Sequence, residues 1–135
     1  MTNVERNVCL AGLALFLLAL LQGFFIPLFE RVDAARAAHA TALASGTFLI
    51  VVGLLWPKLR FRRGSATWAA LLATSLYAIA TGLTLGAAYP AGAQEAHRVA
   101  AALTMILNTG GAIVLVVSVS AVLVACKTGR TARDA

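Results

Sequence analysis

Residues 8–29 read VCLAGLALFLLALLQGFFIPLF, an uncharged run of twenty-two residues in which Gln22 is the only carboxamide. At 1.5 Å of rise per residue, a helix of this length crosses the ~30 Å hydrocarbon core of a bilayer. Three more runs of the same kind follow, over about Ala34–Trp56, Ala66–Tyr89 and Val99–Cys126. Together they use nearly all of the 135 residues. With 61% hydrophobic and 12% charged residues and a mean hydropathy of +0.88, the composition excludes an ordinary soluble domain. The expected fold is all-α: one integral membrane four-helix bundle over residues 1–135, with no room for a soluble domain or a nucleotide-binding fold.

The first run is expected to be a span rather than a secretory leader. Ala35-Arg36-Ala37 superficially matches a small-residue cleavage site. The apolar run before it, however, is roughly twice the ~7–15 residues of a leader's apolar core.

Four crossings put Arg6, Lys58, Arg60, Arg62, Arg63, Lys127, Arg130 and Arg133 on one side of the membrane, and only Arg31, Arg36 and Arg98 on the other. The positive-inside bias predicts both termini in the cytoplasm, as for a multi-pass protein of a bacterial inner membrane. The formal charge of +6 is then a topology signal and a contact for anionic lipid, and implies no nucleic-acid partner. Cys9 and Cys126 fall near the cytoplasmic ends of their spans, where a reducing compartment disfavours a disulfide, and read as small apolar fillers.

Polar residues within the spans recur at helical spacing. Thr74, Tyr77, Thr81 and Thr84 lie on one face of the third span. Thr104, Asn108, Gly111 and Ser118 mark a face of the fourth, and Gly12, Ala19 and Gln22 a side of the first. Hydroxyl and amide groups are expected to face the bundle or an oligomer interface rather than lipid. Most such hydroxyls only bond backbone or a neighbouring helix, for ~0.6–2 kcal/mol each. Tyr77 and Asn108 carry stronger groups near mid-membrane and are the better candidates for a chemical role.

His39 is the ionisable side chain at membrane depth. It lies about 5–8 Å below the outer interface, in the same half as Gln22, Thr81 and Thr84. A polar cavity opening toward that half is expected. An imidazole there implies a partner or a metal. Its face continues through Ala42, Leu43 and Gly46, so small residues leave space for a flat macrocycle. One axial histidine suffices for haem iron, whereas zinc wants three or four ligands and the only other histidine, His97, sits in a loop. A structural histidine bonded to a neighbouring helix is the alternative. Glu95 and His97, like Glu30, Arg31 and Asp33, read as solvated connections.

Ala35-Arg36-Ala37-Ala38-His39, then Gly46, then Leu54-Leu55-Trp56-Pro57-Lys58-Leu59-Arg60-Phe61 resembles the second helix and following loop of the small bacterial rearrangement enzymes that include styrene oxide isomerase and hydroxylaminobenzene mutase. The detailed match covers about 25 residues, and the four-span layout extends it over the chain. The short loops are most similar to the shorter hydroxylaminobenzene mutases, of the mutase A type.

The resemblance implies a homotrimer holding haem b between protomers, with His39 as axial ligand, and ferric haem acting as a Lewis acid in an internal rearrangement. It implies a small aromatic hydroxylamine as substrate and 2-aminophenol as product. The isomerases carry an Asn where this chain has Ser45, and an acidic residue and a Tyr where it has Leu76 and Thr84, which turns the expectation from epoxide opening toward the mutase reaction. Tyr77, Asn108 and Ser45 are the expected substrate-holding residues. His39, Arg36 (toward a haem propionate) and Gly46 are the expected cofactor-binding set.

Other classes predict different features. A small transporter would show an intramembrane carboxylate, and every acidic residue here lies at a span end or in a loop. A haem electron carrier would want a second strong ligand. A purely structural assembly protein would show tight helix contacts without a cavity, and the small pair Gly82 and Gly86 fits either.

Overall fold

The computed structural model of the chain describes residues 2–59, 65–89 and 97–131, with side chains described as far as Val124. Glu95, Arg60, Arg62, Arg63, Arg133 and the side chains of Cys126, Lys127 and Arg130 lie outside the described residues. Four helices carry the fold: α1 (Asn3–Phe25), α2 (Val32–Leu55), α3 (Ser65–Ala88) and α4 (Arg98–Thr131). Each is long and apolar enough to cross a membrane. Helices satisfy every backbone donor internally, which the hydrocarbon core demands.

The ends of the helices follow local chemistry. α1 begins five residues before the apolar run because Thr2 caps it: the Thr2 hydroxyl accepts from the Glu5 amide at 3.4 Å and donates to the Glu5 carboxylate at 2.9 Å. This is a capping-box pairing. α1 and α2 each run into one 3₁₀ turn containing a proline, Ile26–Leu28 and Trp56–Lys58. Proline has no N–H to continue the helix, so the chain tightens and turns there. Phe29 and Leu59 donate back to Ile26 and Trp56 at 3.2 and 3.0 Å.

Small residues set the register of the antiparallel pair α1 and α2. A Cβ added at Gly46 would lie 2.8 Å from the Phe16 nitrogen and 2.9 Å from the Gly12 carbonyl oxygen. One added at Gly53 would lie 2.9 Å from the Cys9 nitrogen. Backbones approach this closely only where side chains are missing, and the gain is van der Waals contact rather than exclusion of water. Cys9 is buried in this seam, with Sγ 3.8 Å from the Ile50 carbonyl.

α3 packs on α2 and, to a smaller extent, on α1, while α4 packs almost wholly on α3. The buried cluster comprises Val8, Leu15 and Ala19 from α1, Ala42, Leu49 and Val52 from α2, Ala69, Leu72, Leu76 and Ala80 from α3, and Trp56. Ser75 and Ser118 are fully buried and bond carbonyls of their own helices, at 2.8 and 2.7 Å. Leu17, Phe24, Met105, Ile106, Ile113 and Val116 are exposed, as a lipid-facing surface requires.

Two expectations about faces change. Gly46 does not leave space beside His39; the α1 backbone fills it. Of the α3 stripe, Tyr77 and Thr84 are half-buried but Thr74 and Thr81 are exposed. At 100° per residue the four positions spread over an arc of about 80°, and the edge of the buried face falls between the two pairs.

Candidate functional site

His39 lies on α2 against the last turns of α1. Its Nδ1 is 2.8 Å from the Ala19 carbonyl oxygen, and the ring packs over Gly23, where an added Cβ would come 3.0 Å from Cε1. A carbonyl oxygen only accepts, so Nδ1 carries a proton, and the lone pair of a neutral ring is then on Nε2. Nε2 has no hydrogen-bond partner among the described residues. Metal-ligating histidines are prepared in this way: one ring nitrogen donates to a carbonyl, which fixes tautomer and orientation, and the other is left to ligate. The described residues contain no cluster of three or more His, Cys, Asp or Glu side chains for a bare metal ion. A single oriented imidazole therefore fits an axial role toward haem better than a zinc site. Arg36 and Ala40 flank His39 on the exposed side of α2. Arg36 lies 3.6 Å from Asp33, and both side chains are largely exposed.

A groove of about 250 Å³ lies beside this position, between α1 and α3 and reaching Ala42 of α2. Leu15, Leu18, Ala80 and Leu85 make it apolar, and Gln22, Tyr77, Thr81 and Thr84 supply the polar groups. Ala19 connects the groove to His39: it lines the groove and its carbonyl receives the Nδ1 proton.

Within the groove the protons are assigned by their acceptors. The Tyr77 hydroxyl donates to the Ala11 carbonyl at 2.8 Å, tying α3 to α1. Thr84 donates to the Ala80 carbonyl at 2.8 Å, four residues back on its own helix. Gln22 Nε2 donates to Thr84 Oγ1 at 3.0 Å.

The three residues expected to hold substrate are not gathered into one cavity. Of them, only Tyr77 lines the groove. Ser45 is buried on α2, six residues beyond His39. Asn108 faces Gly82 across the α3–α4 contact, and its buried Oδ1 has no hydrogen-bond partner among the described residues. Gln22 is the residue the sequence left as a generic polar position. The signal for it was its depth, which matches His39 and Thr84 across three spans.

The sequence model of the styrene oxide isomerase family matches residues 4–129. Hydroxylaminobenzene mutase HabB of Ectopseudomonas oleovorans is 36% identical over 62 residues, which cover 46% of this chain and 38% of that protein. Hydroxylaminobenzene mutase HabA of the same organism is 36% identical over 89 residues, covering 64% of each chain. The matched regions thus span about two-fifths and somewhat under two-thirds of these curated relatives. No solved structure matches the chain. A family match over nearly the whole length, on four apolar helices with an oriented histidine in the second, establishes that the chain belongs to the styrene oxide isomerase family.

Proposed function

We propose that the chain is a membrane-embedded isomerase that converts hydroxylaminobenzene to 2-aminophenol, and that His39 would hold haem b. The observation that carries the cofactor reading is the Nδ1 bond to the Ala19 carbonyl, which leaves Nε2 free. The similarity to two hydroxylaminobenzene mutases supports the substrate. The reaction is an internal hydroxyl transfer: the N–O bond breaks, a C–O bond forms at the ortho carbon, and the displaced ring proton ends on nitrogen. No electrons are gained or lost overall.

Haem b, when bound, supplies a Lewis acid that polarises the N–O bond in a low-dielectric site. His39 would hold it, and Arg36 would meet a propionate. Gly46 contributes by letting α1 close on α2, which presents the Ala19 carbonyl to His39. The groove between α1 and α3 receives the uncharged aromatic ring from the bilayer. Tyr77 lines the groove with its proton engaged by Ala11. Ser45 and Asn108 do not line this groove; Asn108 keeps an acceptor, unpartnered among the described residues, in the α3–α4 contact against Gly82. The bias of basic residues supports cytoplasmic termini in a bacterial inner membrane, and assembly as a homotrimer follows the family resemblance.

The test is direct. Protein reconstituted in nanodiscs with haem is incubated with hydroxylaminobenzene carrying ¹⁸O in its hydroxyl, and the products are separated. The proposal expects 2-aminophenol that retains the label. No 2-aminophenol from haem-loaded protein contradicts the function, and loss of label contradicts the internal transfer. The family match across residues 4–129 favours one second reading, an epoxide isomerase. It predicts conversion of styrene oxide to the isomeric aldehyde under the same conditions.

A further inference from the structure

We infer that Gln22 is the selectivity residue of the groove between α1 and α3, presenting a carbonyl acceptor to the N–H or O–H of a small aromatic ligand, and that Thr84 is the residue that aims it. The orientation follows from proton bookkeeping. Thr84 has one proton, and it goes to the Ala80 carbonyl. Its oxygen can therefore only accept from Gln22, so the amide must turn Nε2 toward it and Oε1 away. The assignment of nitrogen and oxygen in Gln22 is thus fixed by chemistry, which is the criterion for amide groups. Oε1 has no protein partner among the described residues, while its residue lines the groove.

Size and polarity agree on the ligand class. An apolar cavity of about 150 Å³ takes benzene. At about 250 Å³ the groove has room for a phenyl ring and a short substituent. Tyr77 and Thr84 have already committed their protons to backbone carbonyls, so the donor that the amide itself retains is the second Nε2 proton of Gln22, and Oε1 is its open acceptor. A ring bearing a donor is matched, and the same ring bearing only a methyl group leaves Oε1 desolvated without a partner, which is penalised. Leu15, Leu18 and Leu85 supply the contact with the ring.

The naming of an arylhydroxylamine as the natural occupant rests on the mutase reading; the acceptor geometry does not. The experiment is therefore a binding measurement without turnover. Nanodisc-embedded protein is titrated with 4-fluorophenol and with 4-fluorotoluene at matched membrane concentrations, followed by ¹⁹F NMR. Wild type is expected to hold the phenol about three- to tenfold tighter. Gln22→Leu abolishes that preference, Thr84→Val reduces it by freeing the amide to turn, and Thr84→Ser retains it. The Thr84 pair leaves Gln22 in place, so the inference stays testable if Gln22→Leu fails to fold. Equal affinities in wild type, or a preference that survives both Gln22→Leu and Thr84→Val, overturn it. Where the protein turns over hydroxylaminobenzene, Gln22→Leu raises KM more than it lowers kcat; an unchanged KM overturns the inference and leaves the mutase reading standing. A Gln22-dependent preference in protein that forms no 2-aminophenol supports the inference and removes the mutase reading.

Discussion

The imidazole of His39 donates to the carbonyl of Ala19 from the neighbouring helix, at 2.8 Å. One bond thereby fixes the tautomer of the only histidine within a span and joins the proposed cofactor ligand to the wall of the groove. Gly23 forms the floor under the ring. A Cβ there would meet Cε1 at 3.0 Å, so Gly23→Ala is expected to tilt the imidazole. Haem titration of the variant should show several-fold weaker binding, with helicity by circular dichroism unchanged. Unaltered haem affinity would separate the ring's position from ligation.

Tyr77→Phe separates a tether from an acid. The hydroxyl's proton is held by Ala11, and such interhelical bonds are worth about 0.6–2 kcal/mol. Thermal unfolding in detergent should shift by an amount in that range, with activity reduced less than tenfold. A general acid would cost about 10²- to 10⁴-fold, and a loss of that size would assign Tyr77 a proton-transfer role.

Glycines at the helix seams differ in what they meet. Gly46→Ala forces a Cβ to 2.8 Å from the Phe16 backbone nitrogen, and overpacking of this kind costs about 1–3 kcal/mol. Gly110, with nothing within 4 Å of an added Cβ, should accept Ala with no loss. It could gain up to ~1 kcal/mol from helix propensity. Parallel unfolding curves of the two variants test the seam.

Asn108 keeps a buried acceptor unpaired, which costs about 1–3 kcal/mol. Asn108→Leu should leave stability unchanged or raised and lower turnover more than tenfold if the amide serves substrate. Unaltered turnover would remove Asn108 from the site.

Four spans were legible because an uncharged run of the length of residues 8–29 has few other uses. The start of α1 was misplaced, because hydropathy pointed to Val8 while the helix begins at Asn3 under the cap that Thr2 and Glu5 form. Small residues after His39 were ambiguous: the same Ala42 and Gly46 suit a macrocycle or a close helix, and only the packing of Phe16 decides. Helical spacing grouped Thr74 with Tyr77, yet a face has edges, and sequence does not locate them. The partner of His39 was illegible because it is a backbone carbonyl, which every residue carries. Gln22 was visible as polar and deep, but its aim depends on where Thr84 sends its proton.

In the proposed enzyme His39 holds haem iron through Nε2. Visible absorption spectra of wild type and His39→Ala, purified alike with haem counted per chain, test it most directly. A Soret band at near one haem per wild-type chain and at least a tenfold loss in the variant are expected, with both chains equally helical. Equal haem in the two proteins, or a colourless wild type supplied with haem, would contradict it.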